Sequence, residues 1–98
     1  MDGIRFEWDP AKAIRNRRKH GVSFEEAQTA FLDDRALIID DPEHVGDETR
    51  FVLLGMSILL RVLVVVHVFR AAPDTIRIIS ARKATKFERA TYAKGLNR

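Results

Sequence analysis

The chain contains no cysteine. Disulfides and thiolate metal sites are therefore excluded, and folding needs no oxidising compartment. Histidine is scarce: His20, His44 and His67 lie far apart and on different predicted elements. None has the i, i+4 spacing of a helical metal site, so no metal and no cofactor is expected. The acidic stretch "DDPEHVGDE" lacks the ordered spacing of a calcium loop. The five glycines form neither a phosphate-cradling loop nor a nucleophile elbow. The first residues, "MDGIRFEWDP", carry no apolar signal-peptide core, which favours a cytoplasmic location. What remains for chemistry is cations, imidazoles and one tyrosine.

At 98 residues the chain fits one domain, 1–98, with a single modest core. One apolar run, "FVLLGMSILLRVLVVVHVF" (Phe51 to Phe69), has the length of a membrane span. Arg61 sits near its middle, and a central arginine in lipid costs roughly 2.5–3.5 kcal/mol. Its dense valines suit buried strands, so the run is read as two strands of a hairpin, not as a membrane segment.

The net charge of +3 says less than its distribution. Lys12, Arg15, Arg17, Arg18 and Lys19 form a basic block with no acid between them. An acidic block runs from Glu25 to Glu48, and a second basic block from Arg77 to the end. If the basic blocks meet in space they attract anions; otherwise they are ordinary solvated faces.

"IRFEWD" alternates Ile4, Phe6 and Trp8 with polar residues, which predicts a short strand. Asp9 and Pro10 start a helix to about Lys19, stopped by Gly21. Ser23 and Glu26 form a capping box for a second helix, whose Phe24, Ala27, Ala30 and Phe31 share a core-facing stripe. Four strands follow: "RALIIDDP" stopped by Pro42, "TRFVLLGMS", "LRVLVVVHVFR" and "TIRIISAR". Turns are predicted around Gly46 and at Pro73–Asp74, whereas the connection near Ile58–Leu60 has no standard turn residue. Thr85 with Glu88 caps a last helix, about Lys86 to Lys94, ended by Gly95. The result is an α+β domain: an antiparallel sheet with helices packed to one side.

The chemistry is expected at strand ends. Folding the last two strands about residues 72–74 brings Arg70 near Arg77, and leaves Arg82 at the far end near Arg61. His67 falls between the ends. Arginine forks suit phosphate, and histidine moves protons near neutrality. This set suits attack of an RNA 2′-hydroxyl on its own adjacent phosphate, which needs a base, an acid and cations but no cofactor. The bland readings stand beside it: His67 as a core histidine, Arg70 and Arg77 as solvated edge charges, Tyr92 as an aromatic packed on the sheet.

"FEWDPAK", "RKHGVSFEEA", "RFVLLG", "VVVHVFR" and "IRIISARKAT" followed by Glu88, Arg89 and Tyr92 resemble the BrnT family of bacterial toxins. The pieces cover nearly the whole chain in the family's order. The resemblance implies a RelE-like fold and a metal-independent endoribonuclease that blocks translation. It also implies a BrnA-like ribbon-helix-helix antitoxin as partner, with operator DNA bound only through the complex. A RelE-like module that only assists an antitoxin at its operator is the alternative. Arg82 becomes the leading catalytic candidate, with Arg70, His67 and Arg50. Arg82 and Arg70 would stabilise the pentacoordinate phosphate and His67 would act as base or acid. Lys12, Lys19, His20, Arg77, Lys83, Lys86 and Tyr92 would contact RNA. Two departures stand out: Thr49 separates Glu48 from Arg50 where the family has an adjacent pair, and "SILLRVL" lacks the family's glycine turn.

Overall fold

The computed structural model describes residues 3–41, 49–70 and 74–95. The elements are β1 (Arg5–Glu7), α1 (Pro10–His20), α2 (Phe24–Thr29), a 3-10 turn (Ala30–Leu32), β2 (Leu37–Asp40), β3 (Phe51–Met56), β4 (Val62–Arg70), β5 (Thr75–Lys83) and α3 (Lys86–Lys94). This is the order read from the sequence. Pro42, His44, Gly46 and Glu48 of the first predicted turn, and Pro73 of the second, lie outside the described residues.

The helix signals work as local chemistry requires. Asp9 accepts the Ala11 amide at 2.9 Å, with Pro10 in the first turn. Gly21 ends α1 at φ +70, where a side chain would be strained. The box at Thr85 and Glu88 is complete. The one at Ser23 is half formed: the Glu26 amide donates to Ser23 Oγ at 3.0 Å, but the Glu26 carboxylate turns inward instead of back to its cap.

The sheet order is β1-β5-β4-β3-β2. From β2 to β5 it is an antiparallel meander, so the run from Phe51 to Phe69 is indeed a hairpin. β1 joins the far edge in parallel, with Phe6 opposite Ile76. One sheet face carries Leu53, Leu63, Val65, Ile78 and Ala81 against Val22, Phe24, Ala27 and Ala30 of the α1–α2 layer. Trp8 meets Phe24 edge-on at 5.9 Å, and Phe6 meets Phe31 at 5.3 Å. Each fully buried side chain such as Phe24 or Leu63 contributes about 1.5–3 kcal/mol. Gly55 permits close approach here, since a Cβ would lie 3.0 Å from the Ala30 carbonyl oxygen.

Beyond the end of β1, the free side of β5 is closed by a side chain. Asn16 of α1 accepts the Ala81 amide at 3.1 Å and donates to the Ala81 carbonyl at 2.8 Å. A carboxamide has the donor and acceptor of a peptide, so Asn16 replaces a strand residue at an otherwise bare edge. Its second N–H donates to Val22 O at 3.0 Å, which ties the turn after α1 to the same point.

Not all helices lie on one side. Phe87, Glu88 and Thr91 of α3 form a groove with Leu37, Ile39, Val52, Leu54 and Val64. The register makes those five strand residues one face, opposite the α1–α2 layer. The sequence expectation fails because α3 has only a narrow apolar stripe, too weak to indicate which face it covers.

One irregularity decides where β5 presents its side chains. Val66 pairs with Ser80, but the next residue, His67, pairs with Ile78. Ile79 is therefore an extra residue in β5, a bulge. Side chains alternate between sheet faces, so an inserted residue exchanges the faces of everything beyond it. Ile76 and Ile78 face the α1–α2 layer on one side of the bulge, and Ala81 does so on the other. Arg82, opposite Val64, consequently points to the outer face.

Candidate functional site

Arg82 leaves β5 on that outer face beside the start of α3. Its guanidinium grips Glu88 with two nitrogens: Nη1 donates to Oε1 at 2.8 Å and Nη2 to Oε2 at 2.9 Å. Glu88 also accepts the Thr85 amide at 2.8 Å, while its own amide donates to Thr85 Oγ1 at 3.1 Å. The Arg82 hydrogen bonds are the main cause that holds the Glu88 carboxyl down at about 2, against an ordinary 4.5. One side of the pair opens to the apolar groove, about 270 Å³, that Val64 and Phe87 help line.

The other predicted cations do not converge on this point. Arg70 is paired with Thr75, and Arg82 lies seven residues further along β5. At about 3.3 Å per residue they are some 20–23 Å apart, too far to share one phosphate. Arg70 and Arg77 do fall close together, as expected: Arg77 is opposite Val68, two residues from Arg70 and on the same face. Arg77 donates to Glu7 at 3.0 Å. Arg50 joins this end, because the Asp41 amide donates to its carbonyl and extends the β2–β3 ladder to it. Its Nε is buried and has no hydrogen-bond partner among the described residues.

His67 is only 4% exposed and points the other way, into the α1–α2 side. Its ring meets Phe31 edge-on at 4.8 Å and lies 6.1 Å from Phe51. Nδ1 is 3.1 Å from Val65 O, and burial pushes the imidazole pKa down. The structure thus sets His67 in the core and does not bring it to Arg82 or to the outer-face arginines.

Lys12 and Lys19 are exposed on α1, with His20 half-buried at its end, all on the side opposite Arg82. The sheet therefore separates these groups from Arg82. Lys83 follows Arg82 but takes the opposite face, where its charge helps keep Glu26 ionised. Lys86 is exposed at the first turn of α3. Tyr92 packs back from α3, its hydroxyl donating to Asp33 Oδ2 at 2.5 Å.

Three features escape a reading of the sequence. Glu26, 7% exposed, accepts from Ser57 Oγ at 2.6 Å and from Arg61 Nε at 2.9 Å, with a second Arg61 nitrogen on its other oxygen. This cluster, with Ile58 N donating to Thr29 Oγ1 at 2.9 Å, latches the β3–β4 hairpin to α2. Its signal is Arg61, a charge inside an apolar run, which by itself argues only against a membrane span. Asp33 takes the Met56 amide at 2.8 Å as well as the Tyr92 hydroxyl, and nothing in its sequence context announces that. The β5 bulge has a visible trace: the apolar alternation of Ile76 and Ile78 breaks at Ile79 and resumes at Ala81. Among the described residues no group of three His, Asp or Glu is placed to hold a metal, and no helix is long and apolar enough to cross a membrane.

No curated protein matches the chain. Among solved structures, the 1.1 Å crystal structure of the Brucella abortus ribonuclease toxin BrnT aligns with a TM-score of 0.63 at 20% identity, covering 85% of this chain and 99% of that one. That likeness shows the fold. A family model described as the ribonuclease toxin BrnT of type II toxin–antitoxin systems matches residues 8–88, from Trp8 through Glu88. With that match across all but the first strand and most of the last helix, the chain belongs to the BrnT family of ribonuclease toxins.

Proposed function

We propose that this chain is a metal-independent endoribonuclease that cleaves RNA, blocks translation and is neutralised by a BrnA-like ribbon-helix-helix antitoxin. The observation that carries the reading is the family match over residues 8–88, which includes Arg82 and Glu88. In the reaction the 2′-oxygen bonds to the adjacent phosphorus and the bond from phosphorus to the 5′-oxygen breaks. A base takes the 2′-proton and an acid returns one to the leaving oxygen. The substrate supplies its own nucleophile, so the protein need supply only cations and proton carriers.

Arg82 holds the reacting phosphate on this reading. Arg70, Arg77 and Arg50, some 20–23 Å along the sheet, hold flanking phosphates of the same strand. Arg70 and Arg50 thereby move from catalytic candidates to binding residues. His67 contributes packing, because its buried ring faces away from the outer-face arginines.

The test is induced expression with and without the antitoxin, followed by mapping of RNA ends. Growth arrest with new RNA ends is expected for the chain alone, and relief on antitoxin co-expression. Arg82→Ala should abolish both effects while remaining folded and antitoxin-bound. A folded Arg82→Ala protein that stays fully toxic removes Arg82 from the mechanism. No arrest and no new ends from the unaltered chain would overturn the ribonuclease reading and leave the operator-binding module, or an RNA-binding protein without a partner. Cleavage should persist in EDTA; loss there, restored by magnesium, would sink metal independence.

A further inference from the structure

We infer that Glu88 is a positioning residue for the cleavage reaction: it fixes the plane of the Arg82 guanidinium on the outer face. The inference rests on the reading that Arg82 holds the reacting phosphate. An exposed arginine side chain has many rotamers, and an unrestrained fork spends little time in any one orientation. Two parallel hydrogen bonds, at 2.8 and 2.9 Å, define a plane rather than a point. The carboxylate that makes them is itself held. Its Oε1 accepts the Thr85 amide, and Glu88 sits in the first turn of α3, whose cap is Thr85. The bulge at Ile79 selects the face on which Arg82 emerges, and the capped helix then fixes the direction of its fork.

Geometry separates this role from two others. Glu88 is not simply a helix cap, because its Oε2, which takes no part in the box, accepts from Arg82 Nη2. Nor does the carboxylate suit proton abstraction. Both of its oxygens are occupied by Arg82, and at about 2 its pKa is far below that of an effective base at neutral pH. Its negative charge also opposes RNA binding. A group that weakens binding of the polyanion and orders the cation acts on turnover rather than on affinity.

Glu88→Gln keeps the size of the side chain and one acceptor but removes the charge and the two-point grip. Thr85→Ala is the matched control: it weakens the same helix start and leaves the Arg82–Glu88 pair. Cleavage would be followed in a translation extract, where free and ribosome-bound RNA are both offered, at a series of RNA concentrations. For Glu88→Gln the maximal rate should fall by about tenfold or more, with half-saturation at equal or lower RNA concentration. Thr85→Ala should stay within about twofold on both measures, since loss of a cap acts on stability. In an Arg82→Lys background, which keeps the charge but loses the fork, Glu88→Gln should have no further effect on rate. The inference is overturned if Glu88→Gln cleaves at the unaltered rate, if Thr85→Ala loses as much, or if the double variant shows additive losses. An Arg82→Ala protein with the unaltered rate would instead overturn the role of Arg82 itself. Inactive Arg82→Ala beside fully active Glu88→Gln overturns this inference alone.

Discussion

Among the described residues, Glu26, Glu88 and His67 have pKa values lowered by the fold, and each links stability to acid. Glu88 is held at about 2 by Arg82, and Glu26 is lowered chiefly by its hydrogen bond to Arg61. A carboxyl whose pKa is depressed on folding contributes stability above its unfolded value, and that contribution is lost as pH falls toward the folded value. For Glu88 the loss therefore runs from about 4.5 down to about 2. His67 is depressed by burial, so below its ordinary 6.5 the unfolded chain takes up a proton that the folded chain resists. Stability should fall in two stages, the first beginning just below pH 6.5 and the second below 4.5. Urea unfolding across pH 3–8 checks this. His67→Phe should remove the first stage and leave the second. Arg61→Ala leaves the buried Glu26 carboxylate without its partner; since Arg61 is itself one-third exposed, a loss of about 1–3 kcal/mol is expected.

Elements show where sequence reading reaches and where it stops. Order, caps and core stripe are legible because they depend on neighbours in the chain: Asp9 before Pro10, Thr85 three residues before Glu88, Phe24 beside Ala27. The parallel pairing of β1 is not, since Phe6 meets Ile76 across the whole chain and no local pattern encodes that. Nor is the face taken by α3, or the inward turn of Glu26, which depends on an arginine 35 residues away. The site is half legible. Arg82 stands out as a cation on a strand, but its aim depends on an extra residue that only the ladder exposes. Deleting Ile79 should then be far worse than trimming a surface isoleucine, because either Arg82 or the Ile76–Ile78 pair must take the wrong face. Loss of soluble, cooperatively melting protein is expected. The β3–β4 tip gives an opposite case. Leu60 sits at φ +63, the left-handed region that costs an L side chain about 1–2 kcal/mol. It is 78% exposed, so its replacement sacrifices little packing. Leu60→Gly should stabilise by about 1 kcal/mol, read as a rise of roughly 4–8 °C in Tm.

At the scale of the whole molecule, the sheet separates charge as well as packing. α1 carries its cations on one side, while Arg82 and the Arg50, Arg70 and Arg77 group occupy two ends of the other. RNA lying along the outer face would meet both ends. Arg70→Ala should weaken RNA binding and lower the slope of log affinity against log salt by about 0.7 for each phosphate no longer neutralised, with cut positions unchanged. Altered cut positions would place Arg70 at the reacting phosphate instead. The topology also fixes when these groups come to exist. β1 pairs only with Thr75–Arg77, and Arg82 lies on the same late strand. At about 5–20 residues per second, a ribosome needs several seconds after making the first strand to deliver its partner. Until then the sheet lacks its β5 strand, the edge that Asn16 closes is missing, and the proposed cation for cleavage has not been synthesised. If Arg82 has the proposed role, translation interrupted before that residue would leave fragments without the cation that cleavage needs.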